Sequence, residues 1–367
     1  MASISKHENG RWRARYRDAA GRQHVKHFAR KVDGQRWLDE VTASVVTGQY
    51  VAPKAGRITL AEYAEQWRAS QVHRASTEDH VERTLRRHVY PYLGDRPLSS
   101  ILPSDVQTLV KRLSATLAPA TVGVIHRHLS AVMKSAVMDR RIASSPCVGS
   151  RLPKVDKAQV EPITTEQVQR PIDTVPERYR ALVVLAAGTG MRQGEAFGLT
   201  VDRVDFLRRS LTIDRQLTTV TGRAPTFGPP KTAASVRTIP LPDVVIDALA
   251  AHLARFPAGH LGLIFTNGEG KPLRRSNFGT MWRRVCREAV VDGFVFHGLR
   301  HYYASLLIRH GESVKTVQAR LGHANAAETL DTYSHLWPDS DDRTRAAVDS
   351  VLGNLAYSLR TAAPFAQ

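Results

Sequence analysis

Four short stretches in the C-terminal half concentrate side chains that could act on a phosphodiester. In GTGMRQGEAFGLTVDRVDF (188–206), Arg192 follows a glycine-rich turn and opens a helix. A guanidinium there can fork onto two phosphate oxygens with help from the helix N-terminus, and Glu195, one turn along, can orient it. In GPPKTAASVRTIPL (228–241), Lys231 lies between a pair of prolines and a strand carrying Val236 and Ile239. An ammonium at such a hairpin can protonate a leaving oxygen or neutralise a phosphate. In FHGLRHYYASLLIRHG (296–311), His297 and Arg300 are three apart and share a helix face. In ARLGHANAAETLDTYSHLWPD (319–339), His323 follows Gly322 at a helix boundary, and Tyr333 comes ten residues later in a helical segment. Each piece alone has a plainer reading: a surface ion pair, a solvated turn lysine, a packed tyrosine with a satisfied hydroxyl.

Taken together they supply two guanidiniums, one ammonium, two imidazoles and a phenol, with no acidic pair to hold magnesium. That set suits metal-free attack on a phosphodiester, with no cofactor. A phenol of ordinary pKa near 10 must be activated to attack. Arginines would stabilise charge growing on the nonbridging oxygens, while Lys231 and the histidines would move protons. His297 and His301 have the i, i+4 spacing of metal ligands, but Gly298 follows His297 where an HExxH site has its glutamate, and no third ligand is near. No metal is therefore expected.

The elements that position these residues fall into three regions. Residues 1–55 read as a small three-stranded sheet backed by a helix. SISK (3–6) and RQHVKHF flank RWRARYR (11–17), in which Arg11, Arg13, Arg15 and Arg17 alternate with Trp12, Ala14 and Tyr16. DAAG (18–21) is turn-like, and the helix, around Lys31–Thr47, should turn Val32, Trp37, Val41 and Val45 inward. A basic strand face suits a DNA groove, and Arg11, Trp12, Arg13, Arg15, Arg17 and Lys26 are the DNA-binding candidates; a charged, solvated edge strand is the plainer alternative. VAPKAGR (51–57) reads as a linker. Residues 58–145 read as a helical bundle, opened by Thr59 and Glu62 as a capping box, with Val122, Ile125, Leu129, Val132, Met133 and Ala136 on one stripe. Residues 146–162 read as a second linker. Residues 163–367 form the largest unit, with helices at 176–189, 192–199, 241–255, 274–290, 297–310 and 313–320, strands at 210–215 and 235–239, and a last helix at about 343–357 carrying Val348, Val351, Leu352 and Leu355. The fold class is α+β, mainly α: a three-stranded N-terminal sheet with one helix, a helical bundle, and a mixed, mainly helical third domain with a small sheet.

Charge names the partner class. Lys and Arg total 52 against 34 Asp and Glu, a net charge of +18. Such an excess gains affinity for nucleic acid by displacing counterions from phosphates. The start turns basic where a signal peptide would turn apolar, and no run is long and apolar enough to span a bilayer; a cytoplasmic protein without a membrane partner is expected. Cys147 and Cys286 form no CxxC pair, so neither a disulfide framework nor a cysteine zinc site is indicated, although one bridge between them stays open.

TGMRQGE, the hairpin Lys231, HGLRH, LGH and TLDTYSHLWPD, in this order and at these separations, closely resemble the tyrosine recombinase family, specifically the integrases of phages and mobile elements. The resemblance is strong from 163 to about 340. It is weaker over 58–145, which is similar to the family's core-binding domain, and residues 1–55 resemble its arm-type DNA-binding domain. It implies that Arg192 and Arg300 clamp the scissile phosphate, Lys231 is the general acid for the leaving 5′ oxygen, His297 transfers protons, and His323 supports the phosphate. Tyr333 would be the nucleophile that forms a 3′-phosphotyrosyl bond, with Glu195 supporting the site. The spacing from His323 to Tyr333 is one residue longer than in many members. Tyr302 and Tyr303, which adjoin Arg300 on the preceding helix, are the competing phenols and are expected to pack. The implied partners are double-stranded DNA at core-type and arm-type sites, further copies of the chain in a tetramer, a host DNA-bending protein and an excisionase. The implied activity is site-specific recombination that integrates or excises a mobile element. A tyrosine-dependent relaxing topoisomerase and a DNA-binding regulator without catalysis are the alternatives.

Overall fold

The computed structural model describes residues 2–8, 10–17, 21–46, 50–52, 54–156, 161, 163–337 and 344–352. The chain divides into two units, Met1–Lys157 and Ala158–Gln367.

The first unit has two cores. Strands β1 (Ser3–Lys6), β2 (Trp12–Arg17) and β3 (Gln23–Phe28) form an antiparallel sheet in that order. Ala14 stands opposite Ile4 and Lys26, Arg13 opposite Ser5 and His27, and Arg15 opposite Ser3 and Val25. Opposed residues share a face. Trp12, Ala14, Tyr16 and Phe28 therefore lie on the side covered by helix α1 (Lys31–Val46), where Leu38 completes the core, and the β2 arginines lie on the other. One expectation fails. Val32 precedes Leu38 by six residues, about 120° round the helix, and is 65% exposed; the small sheet covers only the arc holding Leu38, Trp37 and Val41. The side chain of Val45, residue Thr47 and all of the DAAG turn but Gly21 lie outside the described residues.

The second core belongs to α2 (Leu60–Ser70), α3 (Ala75–His88), α4 (Tyr90–Leu93), α5 (Pro103–Ser114) and α6 (Pro119–Met138). The Thr59–Glu62 capping box forms as read. The apolar stripe of α6 is buried throughout and packs with Leu60, Val81, Leu85, Val106 and Leu109. Polar ties lock the bundle: Tyr63 donates to Asp139 at 2.6 Å, and the buried Arg68 pairs with Glu82 at 2.6 Å and with Glu65. The stretch 51–57 is no free linker, since its single turn Ala55–Arg57 is held by Ser99 Oγ donating to Gly56 O at 3.0 Å. The second linker also starts tethered, Arg151 and Gln107 exchanging hydrogen bonds of 2.8 and 3.1 Å; its residues 157–160 and 162 lie outside the described ones. Both cysteines are buried free thiols.

The second unit is built round α8 (Glu177–Thr189), whose Leu182, Val183, Leu185 and Ala186 are all buried. A helix apolar on all sides must be enclosed, and α8 packs against α10 (Asp243–Arg255) and α12 (Gly298–Arg309). It is preceded by α7 (Thr165–Thr174), a helix not among those expected; Pro171 sits inside it, and the Thr164–Gln167 capping box holds its start. After α9 (Gln193–Phe197) come β4 (Val204–Asp205), β5 (Ser210–Ile213), the hairpin β6 (Gln216–Thr218) and β7 (Thr226–Gly228), and β8 (Arg237–Pro240). The sheet order is β4-β5-β8, with Leu211 opposite Ile239. β8 starts later than read: Ala233–Ser235 is a helical turn and Val236 is 53% exposed. Helices α11 (Arg275–Glu288), α13 (Val314–Leu321) and α14 (Ala326–Tyr333) complete the unit. Residues 344–352 are helical, with Val348, Val351 and Leu352 exposed; residue 343 and residues 353–357, Leu355 among them, lie outside the described residues. The fold is α+β and mainly α. No helix among the described residues is long and apolar enough to cross a membrane.

Candidate active site

Four helix ends meet around three arginines. Helix α8 stops at Gly190 in the left-handed region (φ 63°), where a Cβ would lie 2.5 Å from Tyr303. Two residues on, Arg192 is the N-cap of α9. Its main-chain N–H donates to Glu195 Oε2 at 2.9 Å, and its guanidinium donates to Glu195 Oε1 and Ser235 Oγ, each at 3.1 Å, and to Gly322 O at 3.2 Å. The orienting role read for Glu195 is thus present in the geometry. The same carboxylate takes Arg237 Nη2 at 2.9 Å, and Arg237 also donates to Ser235 O and Arg320 O, each at 2.8 Å. Burial alone would raise the Glu195 pKa, but the hydrogen bond and charge of Arg237, with the N–H and charge of Arg192, hold it below the usual carboxylate value.

Arg300, 3% exposed, donates to Gly190 O and Leu321 O at 2.8 Å each. These carbonyls end α8 and α13, where the helix dipoles favour a cation. Burial, then the nearby Arg192 charge, lowers its pKa to about 9, so the guanidinium stays charged at neutral pH. These contacts use two of its five N–H donors and three of those of Arg192. Arg192 and Arg237 thus share one buried carboxylate while Arg300 is held by carbonyls alone, and among the described residues Arg192 and Arg300 keep donors to spare. A buried positive excess of this kind is a built anion site.

The other candidates are arranged round it. His323 is buried behind the left-handed Gly322 (φ 66°), its Nδ1 2.8 Å from Thr329 Oγ1. Burial and Arg300 lower its pKa, so it is neutral without a bound anion. His297 is exposed at the N-cap of α12; partial burial and the neighbouring His301, Arg300 and Arg192 lower its pKa too. Tyr333, the last residue of α14, is 1% exposed, and its hydroxyl lies 2.8 Å from His301 Nδ1. Burial raises the phenol to about 12, against the opposing charge of Arg300. Tyr303 is buried beside Gly190 and Tyr302 meets Thr165 through its hydroxyl, so both occupy packing positions. Lys231 is not brought to the cluster. It is exposed, three residues beyond β7 rather than in the hairpin turn, although its loop is anchored there by Thr232 pairing with Ser235 at 2.9 Å.

Sequence reasoning missed two members, Arg237 and His301. Arg237 had a signal: it shares strand parity with the buried Ile239, so β8 must send a cation inward. His301 was weighed only as a metal ligand. In the N-terminal sheet, the six DNA-binding candidates separate. Arg13, Arg15 and Arg17 lie on the open face and Arg11 precedes the strand, but Trp12 and Lys26 lie on the helix side, with Lys31 over the Trp12 ring and Lys26 over Phe28 and Trp37.

Because Arg300 ties together two helix ends, its shape matters as well as its charge. Arg300→Lys should leave one carbonyl unpaired and cost about 1–3 kcal/mol of stability. Denaturant melts of the two proteins check this.

Known proteins match the chain along nearly its whole length. The profile of the phage integrase family matches residues 155–339, that of the phage integrase central domain 59–153, and that of the phage integrase N-terminal domain 2–47. The chain belongs to the phage integrase family. A protein of Mycobacterium tuberculosis named as the integrase of prophage phiRv2 is 28% identical to this integrase over 367 aligned residues, 96% of each chain. Among solved structures, the Tn1549 transposon integrase in complex with transposon right end DNA covers 80% of the chain, itself covered to 99%, with TM-score 0.67 and 24% identity. A lambda integrase tetramer bound to a Holliday junction covers 89% and is covered to 96%, with TM-score 0.57 and 17% identity. These structural likenesses show the fold. The integrase is a tyrosine-type site-specific DNA recombinase.

Proposed function

We propose that Tyr333 attacks a DNA phosphate held by Arg192 and Arg300, giving a 3′-phosphotyrosyl link and a free 5′ hydroxyl. The observation that carries this reading is the cluster of Arg192, Arg237 and Arg300, with unused donors on Arg192 and Arg300, in the same unit as the buried Tyr333, whose hydroxyl lies 2.8 Å from His301 on the helix that carries Arg300. Attack places charge on the nonbridging oxygens, which the spare N–H groups of Arg192 and Arg300 would meet. Lys231, on its anchored loop, gives a proton to the leaving 5′ oxygen; His323 and His297 bind the phosphate and move protons. Glu195 and Arg237 position Arg192. Attack by the 5′ hydroxyl of a second duplex reverses the chemistry, so bond energy is conserved without a nucleotide cofactor.

The three stretches matched by the family profiles divide the work in this reading. Residues 1–55 hold arm-type DNA, 58–145 hold core DNA, and 163–367 carry the chemistry, with recombination completed in a tetramer. The open sheet face supports the first assignment, because Arg13 Nε is buried there without a hydrogen-bond partner among the described residues. Arg13→Gln and Arg15→Gln should each lower the slope of log affinity for arm DNA against log salt by about 1. Filter binding across a salt series checks this; unchanged slopes would remove the sheet from the DNA interface.

The test of the reaction is a nicked core-site duplex from which the short 5′ product diffuses away, incubated with the full chain and a metal chelator. A protein–DNA band that survives denaturation and disappears with protease is the expected result. Binding without such a band would favour a regulator that does no chemistry.

A further inference from the structure

The hydroxyl of Tyr333 meets an imidazole, that of His301, to which neither the motifs nor the proposed reaction gives a part. His297 opens α12 and His301 is one turn further on. Their rings meet edge-on with centroids 5.1 Å apart, and beyond His301 lies the ring of Tyr333 at 5.7 Å. His301 therefore stands between the exposed His297 and the buried Tyr333, and its Nδ1 is the group at 2.8 Å from the phenolic oxygen.

A buried hydroxyl must donate its hydrogen or lose the bond it had in water. His301 Nδ1 can accept only with its own proton on Nε2. We propose that His301, in the Nε2–H form, positions the Tyr333 hydroxyl and accepts its proton as the phenolic oxygen attacks phosphorus. This rests on Tyr333 being the nucleophile. In the step, the Oη–H bond breaks and its proton passes to Nδ1. The Oη–P bond forms as the P–O5′ bond breaks, and the 5′ oxygen leaves with the bonding pair and takes a proton from Lys231. Rejoining returns the proton from His301 to Tyr333. Among the described residues, the charged and titratable groups acting on the pair include His297 and Arg300 on α12 and Glu328 on α14, and His335 lies on the turn after Tyr333 that packs against α12. Burial and Arg300 hold the His301 pKa below its ordinary value, which keeps the imidazole unprotonated and able to accept at neutral pH.

The experiment measures covalent adduct formation in a single turnover, across pH, for the wild type, His301→Ala, His301→Gln and Tyr333→Phe at saturating core DNA. Both His301 variants should form adduct about 10²-fold or more slowly while binding DNA as the wild type does. The wild-type rate should fall at acid pH as His301 takes a proton; the variants should lack that limb. Wild-type rates and pH profiles in both His301 variants, with no adduct from Tyr333→Phe, would overturn the role of His301 and leave Tyr333 as nucleophile. Adduct from Tyr333→Phe would overturn the assignment of Tyr333 itself. Nitrogen-15 histidine NMR of the wild-type chain provides a second check that needs no variant to fold. His301 should carry its proton on Nε2 at neutral pH, and a proton on Nδ1 would overturn the proposal.

Discussion

Tyr333→Phe should abolish the covalent adduct while leaving the fold and DNA binding in place. The side chain is 1% exposed and packs with Tyr303, Ile308, Val317 and Leu321. Phenylalanine fills nearly the same volume, so no cavity opens. The loss is one hydrogen bond to His301, worth about 1 kcal/mol, because the imidazole at 2.8 Å is left without this partner. Since Arg192 and Arg300 keep all their protein contacts, phosphate binding should be unchanged. Denaturant melts, gel shifts with core DNA and the denaturing-gel adduct assay should therefore diverge: nearly normal, normal and blank. A variant that lost DNA binding as well would mean that Tyr333 supports the fold and would reveal nothing about attack.

Glu195→Ala should have the largest effect on stability. This carboxylate is 2% exposed and takes hydrogen bonds from the main chain and side chain of Arg192 and from Arg237. Its removal leaves Arg237, whose side chain is 6% exposed, without its counter-charge. Breaking a buried pair from one side costs about 3–5 kcal/mol. Cleavage should fall with it, because Arg192 loses the group that fixes its direction. The folded Glu195 pKa is depressed, so the stability it gives is present above the unfolded carboxylate pKa and is lost as pH falls through the folded value. The wild type should weaken in acid over that window, and the variant should lack this component. Urea melts from neutral to acid pH would show it; an equal acid response in both proteins would mean that Glu195 is not the group that titrates.

Much of the site was legible because its residues lie at element ends, where few residue types can serve. Gly190 and Gly322 both adopt positive φ, and each sits within two residues of a candidate, Arg192 and His323. Arg300 and Tyr333 were readable from the order and spacing of their motifs. Arg237 and His301 were missed because their roles depend on what lies across from them, Glu195 from another element and Tyr333 thirty-two residues on. Among the elements, the α6 stripe was clear because twenty residues repeat one period, whereas α7 was hidden by Pro171 and the β6–β7 hairpin by strands of three residues. In the N-terminal sheet, alternation gave the arginine face correctly. Lys26 went astray because the face of a residue on β3 is set by its register with β2.

The most direct test of the central claim is to find which residue carries the DNA. The adduct from the chelator-treated reaction is digested with nuclease and trypsin, and the nucleotide-bearing peptide is sequenced by mass spectrometry. Cleavage after Arg320 and Arg343 gives a peptide starting at Leu321 in which Tyr333 is the one tyrosine. A 3′-phosphonucleotide on Tyr333 is the expected result. The same mass on the peptide containing Tyr302 and Tyr303, or on any serine or histidine, would contradict the account.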